Sequence, residues 1–450
     1  MSTIVWFRRD LRLADNPAWS AATDQHDAVT ALFVLEPKLW RSAASMRRAL
    51  LRGHLQALDE QLRGFGGRLR IEIGEPAKIV PAVAGETGAS TVFVNADYSP
   101  HSIARDAAVA ETVHLESFAG LAVHAPGEIL TAAGTPPRVF TPYWKRWKDH
   151  PWGLWPAAGD VSVAAEPGAD LPDEETPPFE CGEAAARDRL HSFLERVDDY
   201  TATRDRPDLD ATSRLSSDLH FGTLDPRRVR HETGETTQSR IGLVRQLCWR
   251  DFYLQVLWQH PRSLDLEFRP EYRGMPWRND DAGFAAWAAG TTGYPIVDAG
   301  MRQLREEGYI HNRVRMIAAS FLVKDLLIDW RLGERWFRRH LVDGDIAQNA
   351  GNWQWVAGTG TDAAPYFRVF NPVSQSRKFD PDGRYIHRYV PELRELEAPG
   401  VHAPWKVGPL ELASAGITLG ETYPEPMVDH AMARKRAIAA YEAARGASNG

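Results

Sequence analysis

Residues 309–330 read YIHNRVRMIAASFLVKDLLIDW, and residues 331–383 continue as RLGERWFRRHLVDGDIAQNAGNWQWVAGTGTDAAPYFRVFNPVSQSRKFDPDG. The first segment has the spacing of a helix, since apolar side chains recur at intervals of about three and four residues. These are Val314, Ile317, Phe321, Leu322, Leu326 and Ile328. Its start is polar, because Asn312, Arg313 and Arg315 surround Met316. The pattern predicts a buried helix with a polar end.

The second segment combines carboxylates, amides and indoles in a region interrupted by Gly and Asn. Asp343 and Asp345 lie on either side of a glycine, Asn349 follows, and Trp353 and Trp355 come next. Together with the arginines of the first segment, these groups suit a large, planar, partly anionic ligand better than a plain core. The alternative, from composition alone, is a buried helical hairpin with a polar cap.

Length and composition indicate more than one domain. The chain has 450 residues, which is longer than one ordinary domain, and 43% of them are hydrophobic, which is enough for a sizeable core. Cys181 and Cys248 are far apart, which argues against a disulfide framework and a structural zinc site, and we expect no metal. The start, MSTIVWFRRDLR, lacks the order of a signal peptide, and no apolar run approaches the roughly 20 residues of a membrane span. We expect a soluble cytoplasmic protein without a membrane partner.

Charge is unevenly distributed along the chain. The formal net charge is -7, and residues 151–180, which contain acids but no Lys or Arg, account for all of it. The last third carries Arg313, Arg315, Arg335, Arg338, Arg339, Arg368, Arg377 and Lys378. These basic residues indicate a local basic face, and the alternative is a set of scattered, solvated arginines.

The order of elements predicts an α/β domain followed by an all-α domain. Five β-branched runs alternate with amphipathic stretches in residues 1–125: TIVWF, VTALFVL, RLRIEI, STVFVN and LAVHA. This order predicts a Rossmann-like domain with a parallel five-stranded sheet. Residues 126–180 form an interdomain linker, in which TPYWKRWKDHP (141–151) is a short helix that we interpret as packing between domains rather than nucleic-acid contact. Helical periodicity then runs over residues 181–450.

Two further clusters place polar side chains on helices. Tyr200, Arg204 and TSRLS (212–216) are typical of a helix N-terminus, whose N–H groups cap locally or bind a pyrophosphate. The segment from Arg245 to His260 sets Gln246, Trp249, Arg250 and Tyr253 on one face. A buried helix would normally present Leu or Ile there.

Taken together, these motifs resemble the photolyase and cryptochrome family, most closely the bacterial class I cyclobutane pyrimidine dimer photolyases. The motifs are WFRRDLRLADNPA (6–18), TSRLS, WRDFY, TGYPIVDAGMRQL (292–304), HNRVRM, DGD, NWQW and TGTDAAPYFRVFNP. They occur in family order from about residue 4 to the C-terminus. The resemblance implies a light-driven DNA repair enzyme, a deoxyribodipyrimidine photo-lyase. It also implies a monomer that binds UV-damaged DNA, single- or double-stranded.

The resemblance implies that the helical domain binds FAD. Phosphates and ribose would lie at Tyr200, Thr212, Ser213, Arg214, Leu215 and Ser216, with Arg250 nearby. The ribitol and isoalloxazine would lie at Asp343 and Asp345, with Arg315 paired to Asp343. Asn349 would face the flavin N5, where an amide can hydrogen-bond either protonation state of that nitrogen.

Residues for electron supply and for the lesion also follow from the resemblance. Trp353, Trp330 and Trp277 match the tryptophan chain that carries electrons to the flavin. The lesion, flipped out of the duplex, would meet Trp249, Trp355 and Met316, with Asn312 and Gln246 bonding it. Arg204 and Arg313 would lie near the DNA backbone. Repair would proceed by electron transfer from photoexcited reduced FAD to the flipped-out dimer.

The sequence departs from the family pattern at two places. Gln246 stands where dimer-specific photolyases have a glutamate, which leaves a cryptochrome-like photoreceptor without efficient repair as the alternative. A (6-4) photolyase would need histidines at the positions of Asn312 and Met316. His101 and Ser102 stand where folate-binding members have an Asn-Glu pair. The resemblance therefore favours 8-hydroxydeazaflavin over methenyltetrahydrofolate as antenna chromophore, and the alternative is that there is no antenna chromophore.

Overall fold

The computed structural model describes residues 2–448 and divides them into two units. Unit one comprises the chain up to Thr201, Ser213–Pro261 and Val342–Gln348. Unit two comprises Ala202–Thr212, Arg262–Leu341 and the chain from Asn349 onward. The domain boundaries predicted from the sequence separate the α/β part of the chain from the helical part, whereas these two units are compact groups of residues. The predicted boundaries therefore stay a prediction.

Unit one contains the sheet. Its strands are β1 (Ser2–Phe7), β2 (Ala28–Leu35), β3 (Leu69–Ile73), β4 (Thr91–Asn95), β5 (His114–Phe118) and β6 (Ser162–Val163). The helices that lie or begin in this unit are α1 (Pro17–Gln25), α2 (Pro37–Ser42), α3 (Ser45–Arg63), α4 (Pro76–Thr87), α5 (Pro100–Ala110), α6 (Phe140–Asp149), α7 (Glu183–Leu194), α8 (Tyr200–Thr203), α9 (Ser216–Phe221), α10 (Pro226–Thr233) and α11 (Gln238–Gln259).

The sheet is parallel and follows the order β3-β2-β1-β4-β5, with β6 paired to β2 outside this path. Side chains alternate between its two faces. Val5 and Phe7 of β1 pack into one apolar cluster, and Ile4 and Trp6 into another. Because both faces are buried, the inner strands read as continuous apolar runs, which is why the sequence revealed them. The predicted five-stranded parallel sheet is confirmed.

The predicted position of the fifth strand is wrong. Residues 121–125, LAVHA, form no strand, and the fifth strand is β5, which is only partly buried at the sheet edge. The backbone of the LAVHA run is satisfied by side chains instead. Arg250 donates to Leu121 O, Arg227 Nε donates to Val123 O at 3.0 Å, and His124 N donates to an Asp251 carboxylate oxygen at 3.0 Å. A buried apolar run whose peptide groups find such partners needs no sheet neighbour.

Unit two is helical, as predicted for the later part of the chain. α8 ends in it, and the helices that follow are α12 (Asp281–Ala289), α13 (Pro295–Glu307), α14 (Asn312–Ser320), α15 (Trp330–His340), α16 (Ile346–Ala357), α17 (Pro372–Phe379), α18 (Arg384–Tyr389), α19 (Pro409–Ser414) and α20 (His430–Ser448). Its core brings together aromatic and aliphatic side chains of α12 to α16 and α18. Within residues 2–448, no helix is long and apolar enough to cross a membrane.

The helix predicted from the opening segment is shorter than its apolar spacing suggests. All six apolar residues of the pattern are buried, but α14 ends at Ser320 and a π-helical turn, Phe321–Asp325, follows. Lys324 donates to Ala357 O at 2.9 Å, and Asp325 lies 2.6 Å from His430 Nδ1. These two buried polar side chains find partners around the turn, which offsets the cost of leaving α-helical geometry.

Candidate functional site

Unit one presents a stacked aromatic surface where α6 packs on α11. Phe140 and Trp249 lie with ring centroids 3.5 Å apart and planes within 2°, and Tyr253 stacks on Trp249 at 5.6 Å. Tyr143 contacts Phe252 on the buried side. The short helix predicted in residues 141–151 is therefore confirmed, and it packs within unit one. Phe140 and Tyr253 are buried and Trp249 is half-buried, so the exposed part of the Trp249 indole is what this stack can offer to an unstacked nucleobase.

Polar groups of α11 lie close in sequence to this aromatic surface. Gln246, one turn before Trp249, is exposed, and its amide nitrogen donates to Gly242 O at 3.2 Å. The Arg245 guanidinium lies 5.2 Å from the Phe140 ring. An amide and a cation are thus available beside an aromatic stack.

Arg250 is directed into unit one. Its guanidinium donates to the carbonyls of Leu121 and Leu219, and the Gln348 side chain donates to the Arg250 carbonyl at 2.9 Å. Burial lowers the pKa of Arg250, although Asp345 and Asp251 oppose that shift. The side chain remains a cation, since arginine keeps its proton in proteins.

Asp345 holds the start of α16. One carboxylate oxygen accepts from the N–H groups of Ala347 and Gln348 at 3.0 Å, and the other pairs with Arg9. Burial alone would raise the pKa of Asp345, but Arg9 and then Arg250 lower it below its ordinary value. This carboxylate is ionised and fixed by unit one itself. Its predicted role toward a flavin stays a prediction.

The predicted helix N-terminus after the TSRLS run is confirmed, because α9 begins at Ser216. Arg214 has a positive φ of 52°, and Ser213 Oγ accepts from Leu215 N at 3.4 Å. Tyr200 is buried edge-to-face against Phe193 with centroids 5.9 Å apart. The run thus forms a strained turn that leads into a short helix.

Tyr309 brings together two residues predicted to bind the cofactor in unit two. The Thr212 hydroxyl lies 3.2 Å from the Tyr309 hydroxyl, and the Arg315 guanidinium lies 5.5 Å from the Tyr309 ring. Arg315 Nε also donates to Ile310 O at 2.7 Å, which orients its side chain. Two residues 103 positions apart thus share one aromatic side chain.

Asn349 is held in one orientation by Glu334. Its Nδ2 donates to Glu334 O at 2.8 Å and to Glu334 Oε1 at 3.0 Å. Burial raises the pKa of Glu334, although Arg338 and Asn349 lower it in part. Because the two amide N–H groups are used in this way, the Oδ1 of Asn349 is the atom it offers to another group.

The polar start of α14 forms a cluster around Met316. Asn312 Nδ2 and Arg313 Nη1 lie 3.9 Å and 3.8 Å from the Met316 sulfur. Arg313 also pairs with Asp205 at 2.9 Å. Asn312 is exposed, and Met316 and Arg313 are half-buried. Three residues predicted to contact the lesion or DNA are therefore adjacent at one helix end.

His311 caps α14 as a neutral imidazole. Burial lowers the pKa of His311 to about 4, and its Nδ1 accepts from Arg313 N at 3.2 Å. Its Nε2 must then carry the proton, and this buried N–H has no hydrogen-bond partner among the described residues. It is a buried donor that a bound ligand can satisfy.

The three predicted chain tryptophans differ in burial. Trp353 and Trp330 are 2% and 0% exposed, whereas Trp277 is half-buried against Tyr441 at 6.2 Å. Trp353 packs tightly on α15, where a Cβ on Gly333 would come within 2.2 Å of the indole. Trp287 also contacts Trp353, with centroids 6.1 Å apart.

The remaining predicted site residues are also placed by the structure. Asp343 is buried in unit one, whereas Arg204 and Trp355 are half-buried in unit two. Trp355 packs against the helical core.

Sequence reasoning missed several supporting residues. Phe140, Glu334, Tyr309 and Trp287 each contact a predicted site residue. Arg9 lay inside the quoted WFRRDLR motif but was given no role, although the buried Asp345 needs a cation. The motif itself was a signal for Arg9, whereas nothing in the sequence indicated the others.

Comparisons with known proteins identify the class of each part. Residues 243–443 match the FAD binding domain of DNA photolyase, and residues 3–160 match DNA photolyase. The chain is 41% identical over 476 residues to the deoxyribodipyrimidine photo-lyase of Agrobacterium fabrum, covering 98% of each protein. Most of the helical region is therefore a flavin-binding domain.

Solved structures agree with this assignment. The fold is similar to a bacterial class III photolyase from Agrobacterium tumefaciens, with TM-score 0.92, 40% identity and coverage of 99% of this chain and 98% of that one. It is also similar to a cryptochrome from Synechocystis, with TM-score 0.89, 29% identity and coverage of 98% and 99%. The chain belongs to the DNA photolyase family.

Proposed function

We propose that the protein is a deoxyribodipyrimidine photo-lyase that splits cyclobutane pyrimidine dimers in UV-damaged DNA, single- or double-stranded, using light. The full-length likeness to a deoxyribodipyrimidine photo-lyase carries this proposal. The aromatic stack of α6 and α11 supports it, because an enzyme that acts on a flipped lesion must replace the stacking that the lesion loses.

Each unit, taken by itself, carries residues that we assign to lesion recognition. In unit one, Trp249 offers its ring and Gln246 its amide. In unit two, we assign Asn312, Met316 and Trp355 to the lesion. Gln246 keeps a hydrogen-bond donor where dimer-specific relatives have an acid, but it lacks the acid's proton and charge.

The phosphate contacts are assigned to Arg204 and Arg313. The Arg313 guanidinium is partly used by Asp205, and that pair is at a partly exposed position where solvent weakens it. Phosphates therefore compete for this cation. Contacts of this kind do not read sequence, and they make binding sensitive to salt.

The residues present fit FAD. Near the start of α14 lie the Thr212 hydroxyl, the Arg315 guanidinium and the buried His311 N–H that has no hydrogen-bond partner among the described residues. On α16, Asn349 offers its oxygen. We propose that Tyr200 and the Thr212, Ser213, Arg214, Leu215 and Ser216 run hold the phosphates and ribose, with Arg250 adding positive charge. Asp343, Asp345 and Arg315 hold the ribitol and ring side. When bound and reduced, FAD supplies the light-excited electron that opens the dimer.

Asn349 is proposed to face the flavin N5 through its oxygen. Since Glu334 occupies its two N–H groups, the amide accepts a hydrogen bond and does not donate one. It therefore favours a protonated ring nitrogen. This is narrower than the sequence alone predicts, because an unrestrained amide can turn either end to the ring.

Trp353, Trp330 and Trp277 are proposed to pass electrons inward from solvent. Burial supports this direction, because the first two indoles are fully buried and the third reaches the surface of unit two. Trp330 donates from Nε1 to Glu267 at 3.3 Å, and the Arg331 guanidinium lies 4.9 Å from its ring. These contacts fix the orientation of the middle indole.

Repair is tested with an oligonucleotide that contains one thymine dimer. The reduced protein is expected to restore the ultraviolet absorbance of thymine in the light and to leave it unchanged in the dark. Trp249→Ala should bind the damaged strand more weakly, by roughly 1 to 3 kcal/mol if one stacking contact is lost. An unchanged absorbance in the light would reject the proposal.

The second candidate is a cryptochrome-like photoreceptor, favoured by Gln246 and by the similarity to a cryptochrome. The two functions differ in their need for damaged DNA. A repair enzyme must prefer dimer-containing DNA over intact DNA, whereas a receptor has no need to discriminate. Equal affinity for both DNAs, together with intact photoreduction, would favour the photoreceptor.

The antenna chromophore is proposed to be 8-hydroxydeazaflavin. His101 lies 3.0 Å from Glu36, and Arg105 lies 3.4 Å from the same carboxylate. Ser102 is buried and bonded to Ser99. These residues are committed to contacts inside unit one, so they do not supply the Asn-Glu pair of folate-binding relatives. Chromatography of the released pigments distinguishes deazaflavin from folate.

We further propose that the chain acts as a cytoplasmic monomer. Its α/β domain would be residues 1–125, its linker 126–180 and its helical domain 181–450. Light scattering of the purified protein tests the monomer, and limited proteolysis tests whether cleavage is confined to the proposed linker.

A further inference from the structure

Three side chains able to bind a metal converge in unit one, and none of them is among the residues assigned to flavin or DNA. They are His124 and Glu128, which lie four residues apart in a loop, and His150, which caps the C-terminus of α6. One ligand atom of each lies within 4.8 Å of the others. The two imidazoles are nearly perpendicular with centroids 4.8 Å apart, and His124 Nδ1 lies 3.6 Å from the Glu128 carboxylate.

The environment of His124 fixes which ring nitrogen carries its lone pair. Its Nε2 lies 3.1 Å from the carbonyl oxygen of Trp147, which can only accept, so Nε2 donates. In neutral histidine the proton is then on Nε2 and the lone pair is on Nδ1. Nδ1 is buried and has no hydrogen-bond partner among the described residues. This is how metal-binding histidines are oriented, with one nitrogen on a backbone carbonyl and the other on the metal.

We propose that His124, Glu128 and His150 bind a divalent transition-metal ion, with zinc as the best match. Two imidazoles and one carboxylate are a common zinc ligand set, and solvent supplies the fourth ligand on the exposed Glu128 side. The cysteine count argues only against sites built on thiolates. Tetrahedral zinc needs its ligand atoms about 3.3 Å apart, so the half-exposed His150 ring must move by roughly 1 to 1.5 Å.

A metal at this position would tie the loop at residues 124–128 to the end of α6. The same helix carries Phe140 of the aromatic stack at its other end. The site is therefore structural in character, and it makes the docking of α6 depend on metal. This inference does not depend on the proposed repair activity.

The test uses the full chain without an affinity tag, stripped with a chelator and dialysed against zinc. One zinc per chain is expected at neutral pH, with affinity falling as pH drops through the range where imidazoles protonate. His150→Ala and Glu128→Ala should each lose more affinity than the roughly 10- to 100-fold that an outer-sphere partner contributes. Their flavin content reports that they remain folded.

His191→Ala is the matched control, because His191 pairs with Glu232 at 2.9 Å on the surface and belongs to no group of three possible metal ligands among the described residues. It should bind zinc like the unmodified chain. Zinc-edge X-ray absorption should show only nitrogen and oxygen ligands, with scattering from two imidazoles. Zinc affinity unchanged by His150→Ala, or no zinc bound at all, would overturn the proposal.

Discussion

Replacing Glu334 by alanine is expected to weaken FAD binding through Asn349. The variant keeps the backbone carbonyl that accepts from Asn349 at 2.8 Å but loses the carboxylate bond at 3.0 Å. A hydrogen bond to a charged group contributes about 1.5 to 3 kcal/mol. If this bond orients the amide for the flavin, its loss corresponds to a roughly 10- to 150-fold higher dissociation constant. Titration of the apoprotein with FAD, followed by fluorescence, measures it.

Two controls separate orientation from a general loss of stability. Glu334→Gln retains an oxygen that accepts from Asn349, so FAD affinity should stay close to that of the unmodified protein. Arg338→Ala removes the ion pair of 3.4 Å with Glu334, which lies at a half-exposed position and is worth less than about 1 kcal/mol. If Glu334→Ala binds FAD as tightly as Glu334→Gln, then Glu334 does not orient Asn349 for the flavin.

Three further predictions concern repair, electron supply and pH. Gln246→Glu should raise the repair yield per absorbed photon in the oligonucleotide assay, and an unchanged yield would show that the amide suffices. Trp330→Phe should abolish photoreduction of FAD, which is measured by the visible absorbance of the flavin. Trp287→Phe replaces an equally buried indole and should retain photoreduction. The reverse result would place the electron path elsewhere. Burial raises the pKa of Asp380 to about 6, so between about pH 4 and 6 the folded protein holds a proton that the unfolded chain releases. Asp380 should therefore add to the free energy of unfolding as pH falls from 7 toward 4, by up to about 3 kcal/mol. Urea titrations should show that the exposed control Asp382→Asn keeps this contribution and that Asp380→Asn loses it.

The fold could be predicted wherever buried segments are visible in the sequence as runs of apolar residues. Strands buried on both faces, such as β1 and β2, are continuous apolar runs, and the sequence identifies them. The position of the fifth strand was predicted wrongly because β5 is only partly buried and is therefore less apolar than a typical inner strand. The LAVHA run is more apolar, but side chains satisfy its buried peptide groups, so it needs no neighbouring strand. The length of α14 was also predicted wrongly, because contacts distant in sequence decide where the helix ends. Partners of Lys324 and Asp325 from distant parts of the chain favour a π-helical turn.

The candidate site was predictable as a set of residue types and not as a set of contacts. The motifs identify Trp249 and Asn349 by resemblance, but they do not show that Phe140 covers the indole or that Glu334 fixes the amide. Such pairs join residues that are 109 and 15 positions apart. Their proximity follows from tertiary packing, which the local periodicity of a sequence does not reveal.

Survival of irradiated cells tests whether this chain repairs DNA with light. A bacterial strain that lacks photolyase would express this chain, receive ultraviolet light, and then be kept either under blue light or in the dark. We expect a survival gain under blue light only, and a smaller gain in cells that express Trp249→Ala. Equal survival in light and dark, with the protein folded and loaded with FAD, would contradict light-driven repair by this chain.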